Sequence, residues 1–209
     1  VNFRADSPQS DDIQEAAYIA GLLLSGLTVP MALAAIPGGW LSDKYGYRVP
    51  TVAGLLLACT GFLLTGFGWE YDTPYLRMGI EMAIIGIGLG LTISPIGTAA
   101  LNDVSERERG VASALILVLR LVGMTIAISW LTIYALERFD VIREGYISSI
   151  TGDSAAIIIA AQNANLYAAV DVIKELQFIG ALVSGIALIT ALFMRGGQRT
   201  SPDSLSPTP

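Results

Sequence analysis

The chain has 209 residues, of which 53% are hydrophobic and 14% are charged, so it is more apolar and less charged than an ordinary soluble domain. The net charge of -6 and the lack of a basic cluster exclude nucleic acid as a partner. Histidine is absent and Cys59 is the single cysteine, so we expect no catalytic residue, no metal site, no cofactor and no enzymatic activity.

The apolar residues fall into five long runs, and each run is long enough to cross the hydrocarbon core of a bilayer as a helix. Prolines lie inside the first and third runs, where helices packed in a membrane tolerate them. The runs cover approximately residues 16–38, 49–68, 78–101, 110–136 and 176–194. The expected fold class is therefore an all-α membrane protein with five transmembrane helices.

A further apolar segment, residues 155–173, is interrupted by polar side chains, among them Asn163, Asn165 and Asp171. Several polar groups in one lipid-facing helix would each need a hydrogen-bond partner. We therefore expect an amphipathic helix that lies outside the bilayer, within an external loop of residues 137–175, rather than a sixth span.

The basic residues indicate an orientation in the membrane, because the positive-inside rule applies to short loops near helix ends. The basic residues of these short loops are Lys44, Arg48, Arg107, Arg109, Arg195 and Arg199. The short loops are therefore expected on the cytoplasmic side of the cell (inner) membrane. In this orientation residues 1–15 form an external arm and residues 16–195 form the multi-pass region. Residues 196–209 are expected to be a disordered cytoplasmic tail. Since the chain starts at Val1 and its first residues are polar, we expect it to begin within a longer protein.

The loop between the first two spans, residues 39–48, is short, charged and contains glycine. Gly39 allows a neighbouring helix to approach closely, Asp43 can place a carboxylate near an exposed helix N-terminus, and Gly46 allows the chain to reverse. An ordinary cytoplasmic loop with positive-inside charges is the alternative interpretation.

The pattern Gly-x-Leu-x-Asp-Lys-x-Gly-x-Arg in this loop resembles motif A of the major facilitator superfamily. Its residues here are Gly39, Leu41, Asp43, Lys44, Gly46 and Arg48. The resemblance implies a conformational switch, in which Asp43 caps a helix of the other half of a transporter and Arg48 joins a charge relay that latches the two halves together. Tyr47 stands where the family often has a basic residue.

The passage after the third span resembles the second half of such a transporter. Gly86, Gly88, Gly90 and Pro95, followed by residues 105–113, are similar to the passage from helix ten to helix eleven of the family. The fourth span has no proline, whereas its counterpart in the first half would carry a glycine-proline signature. The chain thus resembles most of one six-helix half, the C-terminal one, of a major facilitator fold. It is most similar to the fourteen-helix drug:proton antiporters, and the N-terminal half would be its missing partner.

Small residues and a capping pair predict the local structure of the third and fourth spans. Gly86, Gly90 and Ser94 repeat at intervals of four residues, which is typical of close helix packing in membranes. Ser105 and Glu108 form a capping box at the start of the fourth span.

Two ionisable residues inside the spans carry the strongest functional signal, because a charge near the centre of a bilayer costs about 2.5–3.5 kcal/mol on insertion scales. Arg120 lies about 15 Å into the fourth span at 1.5 Å per residue, so it should face a cavity or a partner. A role in substrate binding or coupling and a structural ion pair are equally favoured for Arg120. For Glu81, which lies near the outer end of the third span, the structural role is favoured.

The resemblance also implies that the first, third and fourth spans line a cavity. The polar candidates for substrate binding or coupling, besides Arg120 and Glu81, are Ser25, Thr92, Ser129 and Trp130. The expected function is secondary active transport by alternating access, with proton-coupled export of small amphipathic compounds across the lipid bilayer as the main hypothesis. An importer or exporter of a specific metabolite with the same fold, and a membrane scaffold that transports nothing, are the alternatives.

Overall fold

A computed structural model describes residues 8–70, 72–102, 104–148 and 154–193 of the chain. The helices are α1 (Pro8–Tyr45), α2 (Arg48–Gly68), α3 (Tyr75–Asn102), α4 (Arg109–Ser148) and α5 (Ser154–Phe193). By length and composition, all five can cross a membrane. Each of the five predicted spans lies in a separate helix, so the all-α fold with five membrane-spanning helices is confirmed.

Short connections make consecutive helices run in opposite directions, which gives the bundle two ends. The motif end carries the turn between α1 and α2, the α3–α4 connection and the last residue of α5. The far end carries the turn between α2 and α3 and the connection from α4 to α5. The contacts agree with this topology, because α1 runs parallel to α3: Gly26 lies level with Gly79, and Gly38 lies level with Leu91.

The central helix of the bundle is α3, which packs against α1 on one side and α2 on the other. On the α1 side, a side chain at Gly86 or Gly90 would collide with the backbone carbonyls of Leu27 and Met31. On the α2 side, Gly88 lies directly against the backbone of Ala58. These glycines allow the helix backbones to approach closely, as the spacing of small residues predicts.

The helices α4 and α5 are longer than the sequence predicts. Each has 40 residues, or about 60 Å at 1.5 Å per residue, whereas the hydrocarbon core is about 30 Å thick. Residues 137–148 and 154–175 continue these helices instead of forming a loop with a separate amphipathic helix. The physical reason is that Ala164 and Ala168 are buried while Asn163 and Asn165 are exposed, so one continuous helix satisfies both the apolar and the polar side chains.

The position of α4 differs from that of the other helices. It packs against the far half of α5, touches α3 only marginally, and none of its residues is buried. Within the described residues, α1, α2, α3 and α5 form a packed group, and α4 stands beside this group with most of its surface exposed.

Candidate functional site

The motif hairpin is positioned by close packing between the end of α1 and α3. A side chain at Gly38 would meet the carbonyl oxygen of Leu91 at 2.9 Å, and one at Gly39 would meet the hydroxyl of Ser94 at 3.0 Å. Gly46 has a φ of 78°, the left-handed conformation that glycine adopts without steric cost. The sequence therefore needs glycine at these positions to end α1 against α3 and to reverse the chain into α2.

The charged residues of the hairpin lie at its surface. Asp43 is exposed in the last turn of α1, Arg48 is exposed at the first residue of α2, and Leu41 is half-buried. The ammonium of Lys44 lies 5.0 Å from the ring centroid of Trp40 and 5.3 Å from that of Tyr45, within the range of cation–π attraction. The hairpin thus presents a carboxylate and two cations at the motif end, and Lys44 rests on two aromatic rings.

Arg120 lies on the exposed surface of α4. It precedes Arg138 by about five full turns at 3.6 residues per turn, so both arginines lie on the same side of the helix. Arg138 faces α5, because it bonds to Glu175. Arg120 therefore points to the same side as α5, and it is exposed on a helix none of whose residues is buried.

Glu81 has partners at the far end of the bundle. Its two carboxylate oxygens accept hydrogen bonds from the indole N–H of Trp69 at 2.7 Å and from the guanidinium Nε of Arg77 at 2.9 Å. Glu81 is 7% exposed and Trp69 is 6% exposed. The structure therefore brings Glu81 together with the end of α2 and does not bring it together with Arg120.

The remaining candidates are divided between open faces and helix interfaces. Ser25 is exposed and donates its hydroxyl to the carbonyl of Gly21 at 2.8 Å. Thr92 is buried against Gly54 of α2 and donates to the carbonyl of Leu89 at 2.7 Å. Its position is thus a contact between α2 and α3 and not an open face.

The last two candidates, Ser129 and Trp130, are exposed on α4. The ring of Trp130 stacks on Tyr134 with centroids 5.8 Å apart and planes 19° apart. The stack places an aromatic surface on α4 between Arg120 and the far end of the bundle.

Sequence reasoning missed a polar network that joins α4 to α5. Glu175 accepts hydrogen bonds from Arg138 and from the hydroxyl of Tyr134, and Asp171 accepts one from Tyr146 at 2.8 Å. The signal in the sequence was weak, because the partners are 25 to 41 residues apart and their pairing depends on the helical continuation of both elements.

The described residues hold no group of three or more histidine, cysteine, aspartate or glutamate side chains with the arrangement of a metal site. The candidate residues that lie on exposed faces of α1 and α4 are instead two hydroxyls, one indole and one guanidinium, of Ser25, Ser129, Trp130 and Arg120. Such an arrangement suits the binding of a molecule with a large apolar surface and few polar atoms.

Comparison with known proteins gives a family match and several relatives. The profile of the Major Facilitator Superfamily matches residues 9–195. A triacylglyceride transporter of Mycolicibacterium hassiacum is 29% identical over 203 residues, which cover 88% of this chain and 38% of the relative. Triacylglyceride transporters of Mycobacterium tuberculosis and Mycobacteroides abscessus are 32% and 36% identical over 68% and 57% of this chain.

The matched region spans only part of each of these relatives. It covers 38%, 29% and 25% of their respective lengths. The relatives therefore contain much sequence that has no counterpart in the matched residues of this chain.

Proposed function

The chain belongs to the major facilitator superfamily, and from this premise we propose that it forms most of one half of a secondary transporter that moves an amphipathic or lipid cargo by alternating access. The family and the transporter names of the relatives indicate a multi-pass membrane transporter and not an enzyme. The second half, which completes the cavity, is supplied by sequence outside this chain.

Arg120 is the observation that carries the proposal. A cation in the middle of an apolar span is costly unless it meets water, a cargo or an opposite charge. Its helix has no buried residue, so the guanidinium lies on a face that other groups can approach. We assign Arg120 to the cavity, where it binds a polar group of the cargo or pairs with a carboxylate of the other half. Ser25 and Trp130 are assigned to the same cavity, because they also lie on open faces of α1 and α4. Ser129 lies about two and a half turns from Arg120, at 3.6 residues per turn, and therefore on the opposite side of α4.

Thr92 and Glu81 are assigned structural roles within this proposal. Both are buried, and both are hydrogen-bonded at contacts between α2 and α3. Their polar atoms are therefore engaged away from the open faces of α1 and α4.

The motif hairpin serves the conformational switch in this proposal. Asp43 and Arg48 are exposed at the motif end, where they can meet a helix N-terminus and a charge of the second half as the cavity closes. The short basic connections at this end favour a cytoplasmic location by the positive-inside rule. The far end, with the long extensions of α4 and α5, then lies on the outer side of the cell membrane.

The cargo that we propose first is an acylglycerol lipid, because the relatives reported above are named triacylglyceride transporters. Proton-coupled export of smaller amphipathic compounds, as the sequence resemblance to drug:proton antiporters implies, is the second candidate. Arg120 favours this second candidate, since an uncharged triacylglyceride offers a cation within the membrane no opposite charge, whereas a proton-exchanging carboxylate or an acidic cargo does.

The test uses the complete transporter that contains this chain, reconstituted in proteoliposomes with an imposed proton gradient. Movement of a fluorescent triacylglyceride and of a fluorescent amphipathic drug is measured for the wild type, Arg120→Ala, Arg120→Lys and Asp43→Asn. We expect transport of at least one cargo, a loss of about tenfold or more in both Arg120→Ala and Asp43→Asn, and partial recovery in Arg120→Lys.

Arg143→Ala is the matched control, because it removes another arginine of α4 that lies outside the predicted span. Transport at the wild-type rate in both Arg120→Ala and Asp43→Asn would contradict the assignment of Arg120 to the cavity and of Asp43 to the conformational switch. Absence of movement of either cargo in the wild type would support the scaffold, or the transport of a different metabolite, in place of the proposed function.

A further inference from the structure

A groove of about 460 Å³ opens at the far end of the bundle, between the turn that joins α2 to α3 and the extensions of α4 and α5. Its polar lining consists of Glu70, Asp72, Tyr146, Tyr167, Asp171 and Lys174. None of these residues belongs to the motif hairpin or to the open face that carries Arg120. The volume lies within the range of about 300–1,000 Å³ that is typical of small-molecule sites.

Two tyrosine rings form one wall of this groove. The centroids of Tyr146 and Tyr167 are 5.9 Å apart and the ring planes are inclined by 35°. The hydroxyl of Tyr146 donates to the carboxylate of Asp171 at 2.8 Å, which fixes the ring against α5. Aromatic faces beside a carboxylate attract an organic ammonium group, because the ring quadrupole and the negative charge act together.

Two more acidic residues, Glu70 and Asp72, line the groove from the turn between α2 and α3. The turn is held by two hydrogen bonds: the backbone N–H of Glu70 donates to the hydroxyl of Thr73 at 2.7 Å, and the N–H of Thr73 donates to the carbonyl of Glu70 at 3.1 Å. Glu70 is therefore held to Thr73, and Glu70 and Asp72 line the groove together with the two tyrosines.

One cation completes the lining. The ammonium of Lys174 lies 3.8 Å from Asp171 and is 28% exposed. An ammonium has three N–H donors, so Lys174 can bind a phosphate oxygen while it remains near Asp171. The groove thus combines one group that can bind an anion, the ammonium of Lys174, with several groups that can bind a cation, namely the tyrosine rings and the acidic side chains.

Lys174 and Tyr167 follow each other along α5 in the same order as the phosphate and the ammonium of a phospholipid head. Lys174 lies just before the predicted start of the last span at residue 176, whereas Tyr167 lies about two turns further from the hydrocarbon. In a zwitterionic headgroup, the phosphate is next to the glycerol and the ammonium is further out. A phosphate at Lys174 would therefore place the ammonium between the tyrosine rings and the carboxylates.

From this arrangement we infer that the far-end groove binds the zwitterionic headgroup of a membrane phospholipid, with its phosphate at Lys174 and its ammonium at Tyr146, Tyr167, Glu70 and Asp72. The inference goes beyond the proposed function, since the lipid is bound from the outer leaflet at a site separate from the transport cavity. It is tested by binding alone, so its outcome does not depend on whether the transported cargo has been identified.

The experiment titrates the complete protein, purified in detergent, with short-chain phosphatidylethanolamine, short-chain phosphatidylglycerol and soluble glycerophosphoethanolamine, and counts bound lipids by native mass spectrometry. We expect one phosphatidylethanolamine to bind at least about fivefold more tightly than phosphatidylglycerol, because only the former offers an ammonium. The double variant Glu70→Gln, Asp72→Asn should lose this preference. Lys174→Met should weaken the binding of both lipids.

Glu144→Gln is the matched control, because it removes a carboxylate of α4 that does not line the groove. Equal binding of the two lipids to the wild type, or an unchanged preference in the double variant, would overturn the inference. If soluble glycerophosphoethanolamine binds as tightly as phosphatidylethanolamine, the groove is a site for a free metabolite, and a membrane lipid as the ligand is contradicted.

Discussion

Arg138 of α4 and Glu175 of α5 form a two-point ion pair, with Nε 2.8 Å from Oε2 and Nη2 2.5 Å from Oε1. The hydroxyl of Tyr134 also donates to Oε2 at 3.0 Å. One carboxylate of α5 thus accepts three hydrogen bonds from α4. Because α4 has no buried residue, this network fastens a helix that apolar packing holds only weakly.

Removal of either partner of this ion pair should lower the stability of the protein. Both side chains are partly exposed, at 39% and 30%, so we expect a loss of about 1 kcal/mol for Arg138→Gln or Glu175→Gln. Thermal unfolding of the complete protein in detergent measures the effect. The exchanged pair, Arg138→Glu with Glu175→Arg, should recover part of the loss. If the double variant is no more stable than the single ones, the ion pair does not hold α4 to α5.

A side chain at Gly46 should strain the motif hairpin. The φ of 78° at this residue costs a residue with a Cβ atom about 1–2 kcal/mol, so Gly46→Ala should lower stability by roughly that amount. Gly46→Asn should cost less, because asparagine tolerates the left-handed conformation better than alanine. Equal unfolding temperatures for the wild type and Gly46→Ala would contradict the strained turn.

The five spans and the motif hairpin could be predicted from the sequence because each depends on local information. Apolar runs of about 20 residues fix a membrane helix without knowledge of its neighbours. Likewise, the glycines at residues 39 and 46 and the repeat at residues 86 and 90 indicate a turn and close packing by their spacing alone. The structure places all four glycines accordingly.

The far end could not be predicted, because it depends on contacts between distant residues. The polar residues of the segment 155–173 suggested a break between span and loop. Asn163 and Asn165 lie instead on the exposed side of a continuous helix in which Ala164 and Ala168 are buried, and the half-buried Asp171 accepts a hydrogen bond from Tyr146. Similarly, Thr92 looked like a cavity residue in the sequence, since hydropathy does not reveal which face of α3 meets α2.

The hydrogen bond between Trp69 and Glu81 should matter for stability and not for the choice of cargo. Trp69→Phe removes the indole N–H while keeping an aromatic ring, and it leaves one carboxylate oxygen of a buried glutamate without this donor. We expect a loss of about 1–3 kcal/mol, measured by thermal unfolding, with the ratio of transport rates for two cargoes unchanged. A changed ratio at wild-type stability would instead assign Glu81 to the transport cavity.

The contact between α1 and α3 should be the least tolerant of added volume. A Cβ atom at Gly86 would collide with the carbonyl of Leu27, and backbone atoms cannot move aside as a flexible side chain can. Gly86→Ala should therefore force the two helices apart and destabilise the protein by about 1–3 kcal/mol. Gly79→Ala is the matched control, because it adds the same methyl group to the same helix at a position with no atom within 4 Å. Thermal unfolding of both variants decides the matter: a difference in their unfolding temperatures is expected, and identical curves would show that the helices are not in close contact at Gly86.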